Sequence, residues 1–414
     1  MKTVLIVFGT RPEAIKMAPI VQSIKSSPYL KAITCSTGQH REMLDQVLDI
    51  FSMTPDYDLK LMQPNQDLYS ITSGCLLKMR EVLNAVKPDA VLVQGDTTTA
   101  FATALAAFYE KIPVGHVEAG LRTYDKYSPF PEEINRHLIT PIADWHFAPT
   151  QDSVLNLENE NVSSEKIFLT GNTSIDALKW VAERSDLSER FVKLIGNRKL
   201  ILMTAHRREN FGKPLERIFS AVREFAETHP DFHIVYPVHR NPNVTLPAAQ
   251  WLSQIPNVSL VEPLGYLDLV SLMKQAHLVL TDSGGLQEEA PTLGKPVLVL
   301  RESTERPEAV KSGTAILVGS DPKLILKRLT ELSSSSSRLY RSMARAINPF
   351  GSGHAALAIT RILERELGEV EGVQPPKRMA MAGFANLRRF ARASSEISLF
   401  RTFSALLGFS SSTF

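Results

Sequence analysis

The stretch SPFPEEINR (Ser128 to Arg136) sets two adjacent carboxylates behind a proline, with an asparagine and an arginine within the next turn. Proline and acids both suit the opening of a helix, so Glu132 and Glu133 have a plain reading as helix-start residues. They have a chemical reading if other reactive groups share their position. Asp96 in VQGDTTTA and Glu118 in HVEAGLRT each follow an apolar run. Glu118, directly after its run, is partly desolvated unless it is paired, which raises its pKa toward the range of general acid–base work. Asp96 can alternatively cap the helix that follows. TAHRREN sets His206, Arg207 and Arg208 behind another apolar run. Guanidinium forks fit phosphate oxygens, and an adjacent imidazolium stabilises charge on a departing phosphate. The plain reading is an exposed basic loop.

TDSGGLQEEAPTLGKP brings Ser283, Gly284 and Gly285 to a point where a helix opens. Small residues there let backbone N–H groups approach a phosphate, and Glu288 or Glu289 follows within reach of a ribose hydroxyl pair. A tight strand–helix turn explains the same residues. RESTERPEAVKSG adds Arg301 and Arg306 among acids, which reads more simply as a salt-bridged loop. Neither G-x-G-x-x-G nor G-x-x-x-x-G-K-[ST] occurs, so the dinucleotide fingerprint and the P-loop are absent.

These residues need elements to hold them. TVLIVF, AITCST, AVLVQGD, PVGHVEAG and WHFAPT recur through the first half, and LILMTAHR, HIVYPVHR, VSLVEP, HLVLTDSGG and PVLVLRE through the second. Continuous apolar strands alternating with helical patterns predict parallel sheets covered on both faces, hence an α/β protein of two doubly wound domains. The seam falls near TGNTSIDA (Thr170 to Ala177). Open parallel sheets bind ligands beyond the carboxyl ends of their strands. Just past those ends stand Arg11, Gln39 with His40, Asp96, Glu118, His206 with Arg207 and Arg208, His239 with Arg240, and Ser283-Gly284-Gly285. Each alone is more often a cap or a solvated loop residue; so many at one topological position are harder to dismiss.

The bulk numbers limit the classes. A chain of 414 residues exceeds one ordinary core, and 43% hydrophobic with 22% charged residues describes a soluble globular protein. No apolar run reaches the roughly 18 residues of a membrane span, and MKTVLIVFGTRPEA lacks a signal-peptide layout. Cys35 and Cys75 form neither a disulfide framework nor a metal spacing, which suits buried thiols of a cytoplasmic protein. The net charge of +2 hides a basic end: residues 377–414 carry +5, which leaves −3 for residues 1–376. The body is therefore no polyanion binder, and nucleic acid is not expected as a partner.

In chain order, FGTRPEAIKMAP, TGQHREMLDQV, QGDTTT, HVEAGLRT, SPFPEEINR, HRREN, PVHRNP, TDSGGLQEE and RESTERPE resemble the non-hydrolysing UDP-N-acetylglucosamine 2-epimerase family. The resemblance spans roughly residues 2–366 and implies a glycosyltransferase-B-like fold, two Rossmann-like domains facing across a cleft. The expected layout is an N-terminal domain over 1–170, with a helix at about 352–368 packing back on it. A UDP-binding domain is expected over 171–351 and a basic extension over 371–414. The resemblance implies Asp96, Glu118 and Glu132 as acid–base groups and His206 at the departing diphosphate. It implies Arg11, Ser283, Gly284, Gly285, Glu289 and Arg306 as UDP contacts, with Glu289 on the ribose. Lys16 and Arg136 are further site candidates, Arg136 as the residue orienting Glu132. Neither metal nor other cofactor is implied; a UDP-sugar substrate, a homodimer and a cytoplasmic location are.

Some family members bind a second, activating UDP-N-acetylglucosamine, and Gln39, Arg207 and His239 match parts of that site. Glu42 and Asn65 stand where such members carry glutamine and arginine, so the resemblance does not carry activation over. The extension GFANLRRFARASSEISLFRTFSALLGF also departs from the family. It reads as a disordered or partner-docked segment in preference to an amphipathic helix on a membrane surface.

The implied chemistry suits these residues. The C2 proton of an N-acetylhexosamine has no adjacent carbonyl. Transient oxidation by NAD is one way round this, but the nicotinamide fingerprint is absent. The other is elimination, in which a base removes the proton as UDP departs from C1. That leaves a glycal and UDP, and re-addition with protonation on the opposite face completes epimerisation. Other readings stay open: a hydrolysing epimerase that releases UDP and N-acetylmannosamine, a nucleotide-sugar glycosyltransferase sharing the fold, and a nucleotide-sugar sensor without turnover.

Overall fold

The run KTVLIVF forms strand β1 (Lys2–Phe8), and its side chains divide by strict alternation. Val4, Ile6 and Phe8 enter one apolar core while Leu5 and Val7 enter another. Burial on both faces is the condition under which strands pair in parallel beneath helices. Six more strands join it: β2 (Leu30–Ser36), β3 (Tyr57–Asp58), β4 (Ala90–Gln94), β5 (Val114–Val117), β6 (Trp145–Ala148) and β7 (Ile167–Leu169). The sheet is parallel throughout, in the order β3-β2-β1-β4-β5-β6-β7. These coordinates come from a computed structural model, which describes residues 1–38, 41–62 and 67–368. Gln39, His40, Asn65 and the extension 371–414 lie outside the described residues, as does the side chain of Glu42.

The second half repeats the plan. Strands β8 (Lys199–Thr204), β9 (Phe232–Pro237), β10 (Val258–Val261), β11 (Ala276–Thr281), β12 (Val297–Val299) and β13 (Ala315–Leu317) form a parallel sheet. Its order is β10-β9-β8-β11-β12-β13. Leu200 and Leu202 point into the core that also holds Val4 and Ile6, whereas Ile201 and Met203 fill a separate outer core. The shared middle layer is built largely by helices. Helix Arg11–Lys25 buries Ala14, Met17, Ala18 and Val21, and packs against helices Thr173–Arg184 and Ala355–Glu366. Both sheets fall within one compact unit, Met1–Glu369.

Each sheet reverses its strand order beside its first strand, between β1 and β4 and between β8 and β11. Crevices at such switch points take ligands in open α/β sheets. Gly9 makes the first one passable: a Cβ there would strike the hydroxyls of Thr37 and Thr99. Among the described residues no helix is long and apolar enough to cross a membrane.

Candidate active site

Helix Arg11–Lys25 opens with a capping box, Thr10 accepting from the backbone while the buried Glu13 carboxylate takes the N–H of Gly9 at 3.1 Å and of Thr10 at 2.8 Å. Thr97, three residues beyond β4, donates to the same carboxylate at 2.7 Å, which ties the two switch-point loops together. The fixed helix carries Lys16 to Glu118, and Gln94 Nε2 donates to that same Glu118 oxygen at 2.9 Å. Glu118 holds a left-handed backbone (φ 64°), rare for a residue with a side chain. Burial drives its pKa up, but Lys16, Arg306 and Arg136 together bring it below the ordinary value. The expectation of a raised pKa is thereby corrected, because the carboxylate is paired. Burial likewise disfavours the Lys16 ammonium, yet Glu118 and Glu288 hold its pKa up.

Asp96 is gripped by Arg136, whose Nε lies 2.8 Å and Nη2 2.6 Å from one carboxylate oxygen. It does not cap the next helix; Thr97 does, accepting from Ala100 at 3.0 Å. Asn135 donates to the Asp96 carbonyl at 2.8 Å, and the buried His116 meets the Gly95 carbonyl at 2.7 Å. Burial pushes His116 down to about 4, so its ring is neutral and its Nε2–H donates.

The two acids of SPFPEEINR take separate jobs. Glu133 is 1% exposed and accepts the N–H groups of Thr123 at 3.0 Å and Tyr124 at 2.9 Å, with Arg136 Nη1 at 2.8 Å. Burial opposes its ionisation, but those N–H groups and Arg136 hold its pKa low. Glu132 has no such role: its Oε2 is buried and without a hydrogen-bond partner. Arg136 therefore orients Asp96 and Glu133, not Glu132 as the sequence suggested.

The second sheet supplies the facing groups. His206 follows β8 and stacks on His239, which follows β9, with centroids 5.9 Å apart. Its Nδ1 lies 3.2 Å from Asp282. Burial lowers the imidazole pKa, Arg207 and His239 add to this, and Asp282 opposes them. Arg207 reaches to 4.0 Å from Glu305, and its Nη2 would be 3.8 Å from a Cβ on Gly284, so cation and small-residue turn adjoin. Ser283, Gly284 and Gly285 open helix Gly284–Glu289, where Thr281 Oγ1 takes the Ser283 N–H at 2.9 Å. Arg301 pairs with Glu209 at 2.5 Å and Glu305 at 3.4 Å, the salt-bridged loop its surroundings suggested.

Arg306 and Glu288 form a direct pair, and Asn172 donates to Glu288 at 2.9 Å. Burial would neutralise Arg306, but Glu288 and then Glu118 hold it firmly charged. Glu289 is the carboxylate pushed up, to about 8, by burial and by Glu288 beside it; Lys16, Tyr266 and Arg11 pull weakly the other way. Lys16, Glu118, Arg306, Glu288 and Glu289 thus form one electrostatic cluster drawn from both sheets. Sequence reasoning missed Asp282, Gln94, His116 and the structural task of Glu133. Asp282 was readable in principle, as an acid directly after a buried strand. Among the described residues no group of three His, Cys, Asp or Glu is arranged to hold a metal.

Two Rossmann-like sheets bringing their carboxyl-end rims together define a glycosyltransferase-B-like protein. A glycotransferase of kitacinnamycin shares that fold, with a TM-score of 0.56 at 13% identity over 88% of this chain and 98% of its own. The chain belongs to the UDP-N-acetylglucosamine 2-epimerase family, whose sequence model matches residues 22–364. It is similar to UDP-N-acetylglucosamine 2-epimerase of Escherichia coli (strain K12), at 54% identity over 87% of this chain and 97% of that one. It is also similar to the crystal structure of UDP-GlcNAc 2-epimerase from Neisseria meningitidis bound to UDP-GlcNAc. There the TM-score is 0.80 and the identity 50%, over 88% of this chain and 100% of that chain.

Proposed function

We propose that the protein interconverts UDP-N-acetylglucosamine and UDP-N-acetylmannosamine by eliminating UDP and adding it back, so that the nucleotide is retained. The observation that carries this reading is the convergence of two separately held carboxylates, Glu118 on Lys16 and Asp96 on Arg136, with the unpartnered Glu132 oxygen and a cationic rim. Elimination needs a base at C2 and positive charge at the departing diphosphate. One carboxylate takes the C2 proton as the C1–O bond breaks and the C1=C2 bond forms. A second carboxyl returns a proton to C2 from the other face as the UDP oxygen rejoins C1. Arg11, Arg207, Arg306 and His206 balance the diphosphate charge, with Ser283 and Gly284 beside it and Glu289 at the ribose.

Acid–base groups contribute about 10²–10⁴-fold each, and a lost donor at a developing anion costs about 10²–10³-fold. Neither set suffices alone; a closed cleft that retains the glycal supplies the remainder. Incubation with UDP-N-acetylglucosamine in D₂O, followed by proton and phosphorus NMR, tests the proposal. Deuterium at C2 of UDP-N-acetylmannosamine with the diphosphate intact is expected. Free UDP with N-acetylmannosamine would move the reading to a hydrolysing enzyme, and tight binding without turnover to a sensor.

A further inference from the structure

Asp282 stands one residue beyond β11, fully buried, at the switch point of the second sheet. Its Oδ2 accepts the backbone N–H groups of His206 and Arg207, both at 2.8 Å, and the amide of Asn210 at 3.0 Å. Its Oδ1 is buried and without a hydrogen-bond partner among the described residues, and it lies 3.2 Å from His206 Nδ1. A buried carboxylate is costly unless its oxygens are satisfied. Three donors satisfy one oxygen, and the imidazole N–H is the donor at hand for the other. The surroundings hold the loop still: Tyr236 Oη donates to the Ala205 carbonyl at 2.6 Å, and Thr204 and Thr281 hydroxyls meet at 2.5 Å.

We propose that Asp282 is the positioning residue of His206: it clamps the 205–210 loop and accepts the Nδ1–H, which leaves Nε2 as the ring nitrogen free for a ligand. The groups that bear on the imidazole are Arg207 on its own loop, His239 from the end of β9 and Asp282 from the end of β11. The first two are cationic or potentially so and disfavour an imidazolium; only Asp282 supports one. A neutral ring fixed in the Nδ1–H tautomer can take charge when a diphosphate arrives, because its counter-ion is already in contact. The inference rests on the proposed function for what His206 does, and on geometry alone for how His206 is held.

The test separates the two. Full-length protein with ¹³C,¹⁵N-labelled histidine, with His206 assigned by the signal missing in His206→Gln, reports the ring tautomer at a pH where it is neutral. The Nδ1–H form is expected; the Nε2–H form would overturn the proposal. In Asp282→Asn the oxygen still serves the two backbone N–H groups, while the new NH₂ faces Nδ1 and forces the opposite tautomer. That variant should lose kcat by about 10²-fold or more, with KM moving less than about threefold. A folded Asp282→Asn protein with unchanged kcat refutes the proposal. If that variant does not fold, the tautomer of the unmutated protein decides by itself. A wild-type protein that fails to epimerise sinks the functional reading and leaves the tautomer result standing.

Discussion

Lys16 and Glu118 meet across 102 residues of chain, the first about a turn and a half into the helix after β1, the second immediately after β5. Their contact inverts what burial alone does to a carboxylate. Glu118 is held ionised, while Glu289, buried beside Glu288, is the acid whose pKa climbs to about 8. Burial is common to both; the presence of a counter-ion within contact decides the sign. The site therefore offers a carboxylate ready to accept a proton and another that holds one at neutral pH.

Replacing Lys16 by methionine removes the nearest charge that lowers the Glu118 pKa. The acid limb of kcat/KM should move to higher pH, since Glu118 must then be deprotonated against burial with less help. The rate at neutral pH should fall by about 10²-fold. A pH–rate profile from pH 5 to 9 checks this, and a limb that stays in place would show that it does not report Glu118.

The neighbouring acids Glu132 and Glu133 should separate cleanly. Glu133→Gln loses ionic acceptance of two backbone N–H groups and the Arg136 contact, a change worth about 1–3 kcal/mol. Its melting temperature should drop by several degrees. Glu132→Gln breaks no hydrogen bond, so its melting temperature should hold while kcat falls by about 10²–10⁴-fold. Calorimetry beside initial rates decides, and the reverse pattern would exchange the two roles.

How far the sequence revealed this site depended on whether the responsible contact was local. Strand runs such as KTVLIVF and the turn after each were legible because alternation and small residues are local signals. The rim followed from topology, since parallel strands bring their carboxyl ends to one edge. What stayed hidden was pairing. Nothing near Asp96 in the chain announces Arg136, 40 residues on, and Glu133 reads like Glu132 until Thr123 and Tyr124 fold back on it. Glu118 was assigned a raised pKa because its desolvation is visible in sequence and its lysine is not. Asp282 escaped notice because the glycines beside it carried the stronger local signal.

Arg136 serves two carboxylates with one planar fork, touching Asp96 through Nε and Nη2 and Glu133 through Nη1. Lysine keeps the charge but is a point donor on a longer free stem, so it cannot hold both. Arg136→Lys should lose about 10–100-fold in kcat through misplacement of Asp96, with KM less affected. A loss no greater than twofold would mean that Asp96 is oriented by the 95–97 turn alone.

Glu289 gives the fold a pH dependence of defined sign. Its folded pKa of about 8 lies above its ordinary value of 4.5, so between those values the folded state holds a proton that the unfolded state has released. Stability must then fall as pH rises through that window, because ionising a buried acid beside Glu288 opposes folding. Lys16 and Arg11 nearby only moderate the effect. Glu289→Gln removes the titrating group while keeping its size, so melting temperatures of the two proteins should diverge progressively from pH 5 to pH 8.5, the variant gaining relative to wild type. Parallel melting curves across that range would mean that Glu289 stays ionised in the folded protein, with its charge met by Lys16 and Arg11.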